Sequence, residues 1–401
     1  MIFISCLALL TPLMTPLAAQ AIEDDGPHLV GWQDLQIQDT FSSQGLVKVR
    51  IYYPAISAGE DTLADATAGP YPLVNFMHGW LGSADGYDDL CTHLASWGFV
   101  IVSTDTQRGL FPDVPSYARD SRALLHWAEG EAQDPQSWLS GMVEAGAPWG
   151  AAGHSMGGGT LPLLIGIESR VEVIVGLQAA ANDAGNQAVM DYRGRGYWVA
   201  GSVDSVVPPR TVHDWPERAQ NSERNIYFKV MGMGHSGCVD NPPNNEPLAG
   251  SEQARLHRRL VAGIFRAEMR GEEGLYQEFV GSGMDTEPVE MESRCYRPAI
   301  WASWDAGNQA VQVGGTGRLH GILDLGWSFH TAAQMTPFGL LGIDLGTSTP
   351  VYHQRLSSSG ADEVALPVAP GWFGQTLYFT GLASGQGAAS RLGNVAAVAV
   401  P

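Results

Sequence analysis

Lysine is almost missing from this chain. It occurs only at Lys48 and Lys229, and 22 basic side chains face 42 acidic ones, for a formal net charge of −20. Such a surface repels nucleic acid and anionic membranes, since both are bound mainly by Lys and Arg neutralising phosphate. Cysteine is scarce as well, with four in 401 residues, which excludes a small scaffold stapled by disulfides. Charged residues amount to only 16% against 44% hydrophobic, so the composition is that of a globular protein with large cores and not of a disordered one. Beyond the N-terminus no apolar run is long enough to cross a bilayer, and stable membrane insertion is not expected. The length exceeds one typical domain and points to two.

The N-terminus is the exception to this polar economy. Residues 1–21 hold no charged side chain, and their apolar run is broken at Pro12 and Pro16 before ending in Ala19-Gln20-Ala21. That small-x-small ending predicts a cleaved secretory signal, although the usual basic start is lacking. The expected location is therefore secreted, periplasmic or extracellular. Cys6 would leave with the signal, and Cys91, Cys238 and Cys295 would remain. Cys91 sits in a stretch of helical spacing and is expected as a buried free thiol. Cys238 and Cys295 are then the candidate disulfide.

Along the chain, short apolar strands alternate with helical patterns. Strands are expected at 47–53, 72–77, 99–103, up to 152, 171–177, 196–201 and 225–231, and helices at 87–97, 119–130, 160–167 and 256–269. This alternation predicts an α/β fold, a doubly wound and mostly parallel sheet, over residues 22–272. Residues 273–298 show no clear period and are expected as a linker. From 299 to 401 short apolar runs are punctuated by Gly, Ser, Thr and Pro with no helical stretch, which predicts an all-β, sandwich-like domain.

The chemistry gathers at Gly153-His154-Ser155-Met156-Gly157, which has the G-x-S-x-G spacing of a nucleophile elbow. A serine on so tight a strand-to-helix turn needs bulk-free neighbours two residues away on either side. A serine nucleophile also needs a base, and the base an orienting carboxylate, in the chain order Ser, Asp or Glu, His. Asp204 follows the strand 196–201 in Gly-Ser-Val-Asp, and His235 follows 225–231 in Gly-Met-Gly-His. Asp183 is the rival acid. The oxyanion donors expected are the Met156 N–H at the helix start and the Trp80 N–H in His78-Gly79-Trp80. Trp80's ring could line the substrate cleft or pack in the core. No His, Cys, Asp or Glu cluster has ligand spacing, so neither a metal nor another cofactor is expected.

Five blocks now fall into one pattern: residues 76–80 (F-M-H-G-W), 94–106 (L-A-S-W-G-F-V-I-V-S-T-D-T), 153–161 (G-H-S-M-G-G-G-T-L), 201–209 (G-S-V-D-S-V-V-P-P) and 234–238 (G-H-S-G-C). In order and content they resemble the α/β-hydrolases that include bacterial cutinases and PET hydrolases. They are similar, less closely, to chlorophyllases, dienelactone hydrolases and platelet-activating-factor acetylhydrolases. The resemblance covers roughly residues 40–270. It implies a carboxylic ester hydrolase with Ser155 as nucleophile, Asp204 as acid and His235 as base, acting on a small or polymeric ester. Two other readings stand beside it: an amidase or peptidase on the same three residues, and a protein whose β-rich tail binds a cell surface or polymer. In the latter, Trp301, Trp304, Trp327 and Trp372 would stack on sugars or, alternatively, fill the core.

Overall fold

A computed structural model describes residues 20–38, 45–295, 297–344, 346–384 and 391–401. The expected signal, residues 1–21, lies outside these apart from Gln20 and Ala21. Ten strands form the central sheet: β1 (Leu29–Gln38), β2 (Leu46–Ala55), β3 (Gly59–Glu60), β4 (Leu73–Met77), β5 (Val100–Thr104), β6 (Trp149–His154), β7 (Val171–Leu177), β8 (Arg195–Gly201), β9 (Arg224–Val230) and β10 (Val289–Ser293). Their order is β10-β9-β8-β7-β6-β4-β5-β2-β1-β3. The six strands from β5 to β9 run parallel, with β2 and β10 antiparallel to their neighbours. The fold is thus the mostly parallel α/β arrangement expected.

Parallel central strands are covered on both faces, so their sequences are continuously apolar. Alternate side chains go to opposite cores: Val74 and Phe76 to one, Leu73 and Met77 to the other. Helices α1 (Asp88–Ser96) and α6 (Gly250–Arg270) bury Leu90, Leu94, Leu256, Leu260 and Phe265 on the first face. Helices α2 (Val114–Gln133), α3 (Met156–Ile167), α4 (Asn186–Asp191) and α5 (Pro209–Arg218) bury Leu124, Leu161, Val189 and Trp215 on the second. Helix α2 begins before the expected residue 119. Asp113 caps it, its carboxylate accepting the Ser116 N–H at 3.3 Å, and Pro115 occupies the first turn, where its missing N–H costs nothing.

Residues 273–298 are not a tether. They fold into α7 (Tyr276–Phe279), flanking 3-10 turns and β10, which closes the sheet edge against β9. Tyr276 and Phe279 are buried in the core beneath α6. The disulfide expected in this neighbourhood is also absent: Cys91, Cys238 and Cys295 are all buried free thiols, with Cys295 Sγ 3.0 Å from Ser293 Oγ. The pairing had come from elimination, once Cys91 was set aside as a buried thiol, and spacing carries no information on which sulfurs meet.

The remaining chain is all β. Strands β11 (Ile300–Asp305), β12 (Ala310–Thr316) and β17 (Ala361–Pro367) form one antiparallel sheet. The second contains β13 (Ile322–Ser328), β16 (Thr349–Arg355), β18 (Thr376–Ser384), β19 (Arg391–Leu392) and β20 (Ala396–Ala399), and β14 (Thr331–Thr336) pairs with β15 (Gly339–Ile343) as a hairpin. Ile300, Val311 and Val313 meet Leu323, Leu325 and Phe379 in a core between the two sheets. Trp301 instead lies in the core of the α/β part, fully buried, and Trp327 is buried in the sandwich. Both indoles are thereby removed from sugar stacking.

Candidate active site

Three loops open at one edge of the sheet because β6, β7, β8 and β9 are parallel neighbours. Ser155 follows β6, Asp204 follows β8 and His235 follows β9. Ser155 is held at φ 51°, ψ −112°, a left-handed conformation that costs a non-glycine residue on the order of 1–3 kcal/mol. Its N–H donates to Leu177 O at 2.9 Å, and its carbonyl accepts from Gly159 and Ala180. The motif glycines are needed for space. A Cβ on Gly153 would stand 2.5 Å from the Gly157 carbonyl carbon, and one on Gly157 would collide with the Met77 carbonyl.

The three side chains anticipated from sequence meet. His235 Nε2 lies 2.9 Å from Ser155 Oγ and His235 Nδ1 lies 2.8 Å from Asp204 Oδ2. A carboxylate only accepts, so Nδ1 carries the proton and Nε2 is free to accept from the serine hydroxyl. Asp204 is fixed in turn by its other oxygen, which accepts the Val206 and Val207 N–H groups, each at 2.8 Å. Its side chain has no solvent exposure, and the imidazole has 16%. The rival Asp183 is exposed at the start of a 3-10 turn and binds Asn186 at 3.3 Å, away from the imidazole.

Met156 and Gly79 flank the serine. Met156 opens α3, whose N-terminus carries the positive end of the helix dipole. Gly79 passes the nucleophile so closely that a Cβ on it would sit 3.3 Å from Ser155 Cβ. The Gly79 carbonyl is pinned by the Gly82 N–H at 2.9 Å and His78 Nδ1 at 2.8 Å. In a trans peptide the Trp80 N–H therefore points the opposite way. Trp80 is 55% exposed, and its indole N–H donates to Leu110 O at 3.2 Å. The ring is on the surface and not in the core, and with exposed Leu81, Leu110 and Phe111 it makes an apolar rim.

Two residues beside the site escaped the sequence reading. His154, the variable position of the motif before the serine, is buried with Nε2 2.8 Å from the His235 carbonyl and Nδ1 2.7 Å from the Tyr87 hydroxyl. Burial and the neighbouring His235 ring push its pKa down to about 3. Tyr87, at the end of the turn before α1, was visible only as a helix-start aromatic.

The PET hydrolase-like family matches residues 17–256, more than half of the chain. The protein belongs to that family. Among curated proteins, Chlorophyllase-1 of Arabidopsis thaliana is 31% identical over 94 residues, 23% of this chain and 28% of the relative. Chlorophyllase-1, chloroplastic, of Citrus unshiu and of Citrus sinensis are each 25% identical over 232 residues, 51% of this chain and 69% of theirs. The chain thus spans under a third of the first relative and about two thirds of the others. A hydrolase family and an α/β fold agree with the site's architecture. The PET hydrolase-like match ends before β10 and before the whole β sandwich.

Proposed function

We propose that this chain is an exported serine-dependent carboxylic ester hydrolase. The observation that carries the reading is the unbroken hydrogen-bonded line from Asp204 through His235 to Ser155, with the serine on a strained turn at the strand edge. As Ser155 Oγ bonds to the acyl carbon, His235 Nε2 takes its proton, and the buried Asp204 carboxylate stabilises the resulting imidazolium. The Trp80 and Met156 N–H groups receive the oxyanion, each contributing on the order of 2.7–4 kcal/mol. Collapse of the tetrahedral intermediate expels the alcohol, which takes the proton back from His235. Water, deprotonated by the same imidazole, then attacks the acyl-enzyme and frees Ser155 and the carboxylic acid.

The exposed apolar rim of Trp80, Leu81, Leu110 and Phe111 favours esters with a bulky apolar part over small polar ones. Export rests on residues 1–21, and Ile22, the first residue after the expected cleavage point, is already buried in the hydrolase core. The test is Ser155→Ala assayed on a short-chain nitrophenyl ester. Turnover should vanish while the circular dichroism spectrum stays that of the parent, and retained turnover would falsify the serine mechanism.

A further inference from the structure

His154 and Tyr87 join the two halves of the site, and the two ends of their path have hydrogen bonds of fixed direction. The path begins at the Gly79 N–H, which can only donate and reaches the Tyr87 oxygen at 3.0 Å. It ends at the His235 carbonyl, which can only accept and lies 2.8 Å from His154 Nε2. His154 Nε2 must therefore carry a hydrogen, and in the neutral ring that burial favours, Nδ1 at 2.7 Å is left to accept the proton of the Tyr87 hydroxyl. Of the two neutral forms of the imidazole, the Nε2–H tautomer completes this line. Burial holds the ring neutral, and in a neutral ring the Nδ1–H tautomer would set a lone pair against a carbonyl.

The anchoring points matter. Gly79 precedes the peptide whose N–H, on Trp80, is proposed to receive the oxyanion, and a Cβ on Gly79 would stand 3.0 Å from His154 Nδ1 and 3.3 Å from the Tyr87 hydroxyl. At the other end, the carbonyl belongs to the general base itself. The His154 and His235 rings are 4.8 Å apart between centroids. Because the His154 Nε2–H is committed to a carbonyl, that ring does not compete for the Ser155 proton.

We propose that Tyr87 and His154 are positioning residues that lock the oxyanion-side peptide and the His235 loop into one register, acting as a single unit. The inference rests on the serine-hydrolase reading above. It predicts that neither residue matters much for holding substrate and that both matter for the tetrahedral state, where a 1 Å misplacement can cost about a hundredfold.

The experiment compares Tyr87→Phe, His154→Gln and the double variant with the parent on a nitrophenyl ester, together with the affinity of a phenylboronic acid, which forms a tetrahedral adduct on the serine. Phe removes only the hydroxyl, and Gln retains a donor for the His235 carbonyl. Expected are a tenfold or larger fall in kcat for Tyr87→Phe, KM within twofold, a matching loss of boronate affinity, and a double variant no worse than the weaker single one. A kcat within twofold of the parent in Tyr87→Phe, or losses that multiply in the double variant, would overturn the proposal. Should His154→Gln fail to fold, Tyr87→Phe decides alone by its kcat and boronate affinity. Failure here is separable from failure of the serine reading: the latter shows as turnover by Ser155→Ala, the former as an inactive Ser155→Ala beside an unimpaired Tyr87→Phe.

Discussion

Asp204 has two carboxylate oxygens with two different tasks, and this makes its amide variant informative. Oδ1 accepts two backbone N–H groups from Val206 and Val207, and Oδ2 accepts from His235 Nδ1. In Asp204→Asn the remaining oxygen keeps the two backbone donors, which leaves the amide NH2 facing the imidazole. His235 must then turn its lone pair to Nδ1 and carry its proton on Nε2, where it cannot accept from Ser155. A loss of about 10⁴ in kcat with an intact fold follows, measured by steady-state kinetics beside circular dichroism, and a variant within tenfold of the parent would remove Asp204 from the mechanism. Asp204, His235 and Ser155, which lie within hydrogen-bonding reach of one another, were legible because each falls in a short block at a strand end. His154 and Tyr87 were not, since apart from each other their partners are a backbone carbonyl and a backbone N–H, and no spacing rule reports backbone partners.

At the level of elements, legibility followed periodicity. The strands of the parallel sheet were readable because burial on both faces leaves continuous apolar runs such as 99–103, and α6 because its apolar residues recur at helical spacing. Strand β10 was not, as Val-Glu-Met-Glu-Ser sits on the sheet edge with its carboxylates outward, and such a sequence reads as a polar connection. Helix α3 starts at Met156 and not at 160 because three glycines of poor helix propensity are held by close packing against the neighbouring loop. The junction with the β sandwich has a consequence that can be measured. Trp301 of β11 is fully buried in the hydrolase core, its N–H donating to Glu363 at 2.6 Å, while Asn394 reaches Glu273 at 2.8 Å. Trp301→Ala should therefore cost the hydrolase itself about 3–5 kcal/mol, lowering the temperature at which esterase activity is lost. An unchanged inactivation temperature would show that the sandwich does not brace the catalytic part.

For the molecule as a whole, the charge imbalance and the buried histidines act on stability in separate pH windows. His154 and His257 are buried with pKa values pushed down to about 3 and about 4, in each case chiefly by desolvation. His78 and His93 are lowered by burial as well. A histidine depressed in the folded state binds more protons when unfolded, so stability falls as pH drops below the unfolded value near 6.5. Between pH 6.5 and 5 each of His154 and His257 should remove about 2 kcal/mol, a large share of a typical stability of about 5–15 kcal/mol. The net charge of −20 pulls the other way, because protonating carboxylates relieves self-repulsion. Ordinary Asp and Glu titrate mainly below pH 5, however, so the histidine effect stands nearly alone above it. Urea midpoints measured from pH 7 to 5 should decline, and His257→Gln, which leaves the Tyr87–His154 line untouched, should flatten the slope. A flat profile in the parent would mean that these imidazoles are not held neutral inside the fold, and with that the Nε2–H tautomer required of His154 would lose its physical basis.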